Sequence, residues 1–161
     1  MTYAIDIQND PDYAVNPARL IQAITTVLDQ HELDRTSGLT VVFTDNDGVQ
    51  KLNLKHRGID APTDVLSFPA DPMPDFITDE PPYLGDLIIA YPYAAKQAET
   101  HQHALDDSLC LLVIHGTLHL LGYDHDTPEN RAEMWSAQAD ALHAMNIDTG
   151  IVPSLEGDGD D

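Results

Sequence analysis

The sequence predicts an α+β fold, a small mixed β-sheet packed with helices. Three observations predict it. Short β-branched or alternating runs are confined to roughly the first ninety residues, helical periodicity takes over from Pro92, and no internal repeat or linker divides the chain. At 161 residues one domain over 1–150 is expected, with enough chain to bury a sizeable core, followed by an acidic and flexible tail over 151–161.

The elements follow in order. Tyr3, Ile5 and Ile7 alternate with smaller or polar residues, the period of a half-buried strand. Asn16-Pro17 reads as a helix start, because asparagine caps orphan N–H groups and proline loses nothing at the first helical position. Leu20, Ile21, Ile24, Val27 and Leu28 continue it at helical spacing to about His31. Leu39–Thr44 reads as a buried strand. Asp47 is placed to cap a short helix carrying Val49, Leu52 and Leu54. Strands are expected at Val65–Phe68 and Leu84–Ala90, with an irregular proline-rich loop from Pro69 to Pro82 between them. Leu105–Leu121 reads as an apolar helix stopped by Gly122, and Thr127-Pro128 starts a last helix to about Met145.

Composition excludes several classes. The formal charge is −21, from 28 acids against 7 bases. The tail segment Glu156–Asp161 holds four of the acids, so the acidity belongs to the folded part. Such a chain has no general attraction to nucleic acid, whose affinity rests on neutralised phosphates; a nucleic-acid role needs a local basic patch or a metal. No apolar run reaches transmembrane length and the N-terminus lacks a basic leader, so neither membrane span nor signal peptide is expected. The one cysteine, Cys110, excludes an internal disulfide and suits a reducing cytoplasm.

The chemistry concentrates in the segment HGTLHLLGYDH. His115 and His119 lie four apart on a helix and so project from one face, while the glycine stop lets the chain return His125 toward the same point. Three neutral imidazoles on a common centre suit Zn²⁺, one ion per chain, and leave a fourth position open, the catalytic rather than the structural arrangement. Between Ser108 and Tyr123 no acid or base competes. The spacing also occurs in metzincin proteases, but their general-base glutamate is here Gly116, which cannot move a proton. Of the other histidines, His56, His101, His103 and His143 read as surface or packing residues.

The segment His115–His125 resembles the YbeY family of bacterial rRNA-maturation endoribonucleases. Two further blocks carry the resemblance: Leu52-Asn53, His56-Arg57, Asp60 and Pro62–Pro69 (PTDVLSFP), then Leu84–Ile88 (LGDLI), all in order from about Tyr3 to Met145. The departures from the pattern, Gln138 on the last helix and the acidic tail, are read as lying away from the metal ligands. The resemblance implies a zinc-dependent, single-strand-preferring RNA hydrolase acting in rRNA processing, at the small-subunit rRNA 3′ end, and in ribosome quality control. It implies a compact α+β domain with the zinc site in a cleft. His115, His119 and His125 take the metal role by match, and Arg57 takes the functional arginine role.

Arg57 also stands out by charge. The window Gly48–Ile59 holds Lys51, Lys55 and Arg57 and no acid, making these three the candidate phosphate-binding residues, with Arg57 as candidate catalytic residue. A helix end bearing cations is the ordinary alternative. Asp64 and Thr63 are expected to order a turn, and Asp86 and Asp124 to be structural likewise, with orientation of the His125 ring the lesser alternative for Asp124; Tyr83, Tyr91, Tyr93 and Tyr123 are expected to pack rather than to stack bases. The leading function is thus a metal-dependent endoribonuclease in the cytoplasm with rRNA and the ribosome or a ribosomal protein as partners, and without DNA or membrane. A ribosome-assembly binding factor with structural zinc is the rival, since an acidic surface suits a basic ribosomal protein. A zinc metallopeptidase comes third.

Overall fold

The computed structural model describes residues 3–71 and 81–151. Its elements run β1 (Ala4–Gln8), α1 (Pro17–Gln30), β2 (Gly38–Thr44), α2 (Asn46–Arg57), β3 (Val65–Pro69), β4 (Tyr83–Ala90), α3 (Tyr91–His101), α4 (Leu105–Leu120) and α5 (Pro128–Ala144), with a short 3₁₀ turn at Thr149–Ile151. The strands form one sheet in the order β1-β2-β4-β3. The first three are parallel and β3 pairs antiparallel with β4, so the sheet is mixed, as the sequence predicts. Most of the proline-rich loop and residues 152–161 of the expected tail lie outside the described residues.

Local chemistry sets the helix starts. The Asn16 side chain accepts from the Arg19 N–H, and the Thr127 side chain accepts from that of Asn130, each satisfying a donor the helix leaves orphaned. At α2 the cap is Asp45 and not Asp47: Asp45 is extended and accepts from Gly48, whereas Asp47 lies inside the first turn, where its charge suits the helix dipole. The helix begins two residues earlier than the sequence suggests because Asp45 and Asp47 are both good caps and strand β2 ends right at Thr44.

The sheet is covered unequally. Leu39, Val41, Phe43, Leu87 and Ile89 point from one face into the main core with α1, α4 and α5. On the other side Val49, Leu66 and Ala90 gather with Leu52, Phe68, Ile88 and Tyr93 into a smaller cluster that seats α2. Helix α4 is the centre of the main core: from Ser108 to Leu118 every residue is buried. A helix apolar all round belongs inside, with neighbours on all sides. Its exposed start is fastened by Arg19 of α1, which bridges Asp106 at 2.9 Å and Asp107 at 2.8 Å. Cys110 sits within this helix at 0% exposure, and burial pushes its thiol up to about 12, so it is an inert core residue. Among the described residues no helix is long and apolar enough to cross a membrane.

Two glycines allow α4 and β3 to come close to β4. A Cβ on Gly116 would meet the Leu87 side chain at 2.7 Å, so position 116 faces the sheet. Gly85 has φ +141°, and a Cβ there would run into the Phe68 carbonyl oxygen and lie 2.9 Å from Leu120. Strain at an unfavourable φ and overpacking then act together. Gly85→Ala should therefore destabilise the fold by about 2–4 kcal/mol in chemical denaturation, well beyond an exposed Gly→Ala change.

Candidate metal centre

The end of α4 builds the centre. His115 and His119, one turn apart, meet edge to face with ring centroids 4.6 Å apart. The helix then closes through two bonds, Tyr123 N–H to the Leu118 carbonyl at 3.0 Å and Gly122 N–H to the His119 carbonyl at 3.0 Å, with Gly122 left-handed at φ +102°. This pairing is the Schellman stop, which turns the chain back on itself. The turn carries His125 to 5.5 Å from the His115 ring and 5.2 Å from the His119 ring. One nitrogen from each of the three imidazoles then falls within 4.8 Å of the others.

Hydrogen bonds fix which nitrogens are available. The His115 Nδ1–H donates to the Gln138 Oε1 at 2.5 Å, and the His119 Nδ1–H donates to the Tyr123 carbonyl at 3.0 Å. Carbonyl oxygens only accept, so both rings carry their proton on Nδ1 and a lone pair on Nε2. The two Nε2 atoms face each other at 3.2 Å. Two lone pairs cannot bond each other, whereas a cation bound by both satisfies them. The Nε2 of His125 is buried with no hydrogen-bond partner among the described residues. Burial, followed by the neighbouring His119, holds the His125 ring below the ordinary histidine pKa, keeping it neutral as a ligand must be. These donors fit a divalent ion of the zinc type.

Around the rings the environment is dry on one side and open on the other. His115 is 1% exposed and lies beneath the other two. Trp135 of α5 stands edge-on to His115 at 5.9 Å and to His125 at 5.6 Å, and Arg131 lies over its ring at 4.7 Å. The open side is a cleft of about 570 Å³. One wall is His119, Gly122, Tyr123, Asp124 and His125; the other is His56, Arg57 and β3 from Leu66 to Pro69.

The cleft thus unites Arg57 with the histidines, although some sixty residues separate them in sequence. Arg57 ends α2, and its Nη1 donates to Asn53 Oδ1 at 3.3 Å. Asn53 is itself buried and held by the Ala61 carbonyl at 2.8 Å, so it braces the arginine from below. Lys51 and Lys55 are exposed on α2 and do not line the cleft. At about 100° per residue they point roughly 120° and 160° away from Arg57 around the helix.

Sequence reasoning missed two features here. His56, read as a surface or packing residue, lines the cleft and meets Phe68 edge to face at 5.0 Å. Its place beside Arg57 was the available signal. Gln138, read as remote from the ligands, bonds one of them directly. Asp124 accepts from the main-chain N–H of His125 at 2.8 Å, and therefore fixes the backbone of the turn rather than the imidazole. The other polar residues behave as turn and packing groups. Asp64 is buried and accepts from the Val65 N–H, Tyr91 stacks on Tyr13 at 4.4 Å, and the Tyr123 hydroxyl meets His31 at 2.8 Å.

Comparison with known proteins assigns the family. The model of the family described as endoribonuclease YbeY matches residues 6–146. The chain belongs to the YbeY family. An endoribonuclease YbeY of Roseiflexus sp. (strain RS-1) is 40% identical over 149 residues, covering 89% of this chain and 93% of the relative. That of Streptomyces griseus is 37% identical over 154 residues, covering 92% and 93%. A solution structure from Thermotoga maritima shares the fold, with a TM-score of 0.53 at 21% identity over 90% of this chain. In this YbeY family member the candidate ligands sit on the buried helix and its closing turn, and the cleft faces them with an arginine.

Metal binding should follow the donor geometry. One divalent ion per chain is expected by elemental analysis, and His119→Ala should weaken binding by orders of magnitude by removing one ligand of three. Occupancy should fall as pH drops through about 6.5, where free imidazole protonates. The metal-free fold should respond with the same sign. His125 is depressed in the folded state, so the unfolded chain binds more protons below that pH, and stability present above it is lost on acidification. Thermal melts of stripped protein between pH 5 and 8 read this directly.

Proposed function

We propose that this chain is a zinc-dependent endoribonuclease that cleaves single-stranded RNA during rRNA maturation, working in the cytoplasm at the small-subunit rRNA 3′ end and in ribosome quality control. The observation that carries the reading is the pairing of a three-imidazole centre with a braced arginine on opposite walls of one cleft. Family membership supports it, since the relatives are named endoribonuclease YbeY. The rRNA target and the ribosome as partner rest on the family resemblance, and the cytoplasmic location on cysteine usage.

The chain's own groups then have definite work. His115, His119 and His125 hold the ion, which when bound supplies Lewis-acid polarisation of a phosphate oxygen and acidifies water. Arg57 presents a planar fork that takes two oxygens of the scissile phosphate and stabilises the charge that develops on them. Asn53 orients that fork. Lys51 and Lys55 face solvent on the same helix, where they meet phosphates of the strand outside the cleft. In a chain at −21 this helix is where an RNA backbone can land. The preference for single-stranded RNA rests on the family resemblance.

The acidic surface also favours docking on a basic ribosomal protein, and the two roles are compatible. A peptidase reading is weaker. Position 116, where a metzincin carries its base, faces Leu87 of the sheet.

Replacement of Arg57 separates its phosphate-binding role from that of a helix-end cation. Arg57→Ala should leave metal content and stability nearly unchanged and reduce cleavage of single-stranded RNA about 10²–10³-fold, the cost of removing one charge-stabilising group. Arg57→Lys should restore little, because a point charge does not reproduce the fork. The slope of log affinity against log salt should flatten by about 0.7, one phosphate's share. Full cleavage by the alanine variant with an unchanged salt slope would return Arg57 to an ordinary helix-end cation, whereas full rescue of cells by a chain lacking all three histidines would favour the binding-factor reading.

A further inference from the structure

Gln138 occupies an unusual place on α5. The buried residues of that helix, Met134, Ala137, Gln138, Ala141 and Leu142, form one stripe at helical spacing against the core. Four are apolar; Gln138 lies in the middle of the stripe and is 0% exposed. Its Oε1 accepts from the His115 Nδ1–H at 2.5 Å, while its Nε2 is buried with no hydrogen-bond partner among the described residues. A half-satisfied amide in an apolar stripe is unfavourable, and packing alone would favour a leucine or methionine of similar volume. What the amide gains is at the other end of its bond, on His115.

We propose that Gln138 is a positioning residue for the metal centre, holding His115 in the one tautomer and ring orientation that aim its Nε2 lone pair at the ion. The inference rests on the metal-centre reading and adds to it a residue from a different helix. A neutral imidazole has two tautomers, and the hydrogen bond at one nitrogen decides which the other adopts. Without an acceptor at Nδ1, the His115 ring is free to carry its proton on Nε2, where it would face His119 at 3.2 Å and block the shared position. His119 takes its acceptor from the main chain of the turn, at the Tyr123 carbonyl. His115, in the middle of the buried helix, has no such turn after it and takes its acceptor from α5.

The test compares metal-free native protein with Gln138→Met and Gln138→Glu, each titrated with Zn²⁺ and with Co²⁺. Trp135 is the only tryptophan and stands against His115 and His125, so its fluorescence reports occupancy without any RNA, and the visible spectrum of Co²⁺ reports the donor geometry. Gln138→Met should weaken binding about 10–100-fold, as loss of a ligand's supporting hydrogen bond does. The melting midpoint of its metal-free form is measured alongside, because loss of the orphaned amide raises it and loss of the acceptor for the His115 Nδ1–H lowers it. Gln138→Glu keeps the acceptor and should bind at least as tightly as native. Native-like affinity in Gln138→Met overturns the proposal, whether or not its midpoint falls, because a merely structural glutamine moves the midpoint and not the affinity. A Glu variant as weak as the Met variant overturns it also. Failure of the native chain to bind either ion would instead remove the metal centre itself.

Discussion

A helix that is apolar on every side has to be surrounded, and α4 imposes that requirement on the rest of the molecule. The sheet, α1, α3 and α5 are arranged about it, and glycine at position 116 lets it approach β4 closely enough to exclude solvent. Two imidazoles are carried into this environment near its end. Buried polar groups need partners, and here the partners come from the turn and from α5. The hydrogen bonds that satisfy the Nδ1 side of each ring leave the Nε2 sides converging. The demand for burial and the presentation of a donor set are thus met by the same contacts.

Electrostatics divides the surface from the centre. The chain carries 28 acids, yet the second wall of the cleft is reached through α2, whose last turn holds Lys55, His56 and Arg57. The cations Lys55 and Arg57 also complement the C-terminal end of the helix dipole, so helix stability and phosphate attraction favour the same placement. The stretch from Ser108 to Tyr123 brings no carboxylate of its own to the histidines, and the one acid among the described residues that line the cleft, Asp124, is engaged with the His125 N–H.

Much of this was legible in the chain because it depends on local rules. Caps at Asn16 and Thr127, the glycine stop at Gly122 and the period of each strand are set by a few neighbouring residues, and each element formed within a few residues of its expected place. The i, i+4 spacing of His115 and His119 is a property of any helix, so the pair could be read without coordinates. The choice between Asp45 and Asp47 could not, because both satisfy the local rule and the end of β2 decides between them.

By itself, then, the sequence determined the α+β class, the order of the elements, the histidine trio and the arginine as the conspicuous cation. Tertiary structure alone decided what stands across space from them. It placed Arg57 and His56 opposite the histidines, turned Lys51 and Lys55 to solvent, directed Asp124 to a backbone N–H and brought Gln138 onto His115. The physical reason is range. Propensity, capping and periodicity act over a few residues, whereas these pairings join α2 to α4 and α4 to α5 and depend on how helices pack once their apolar faces are buried.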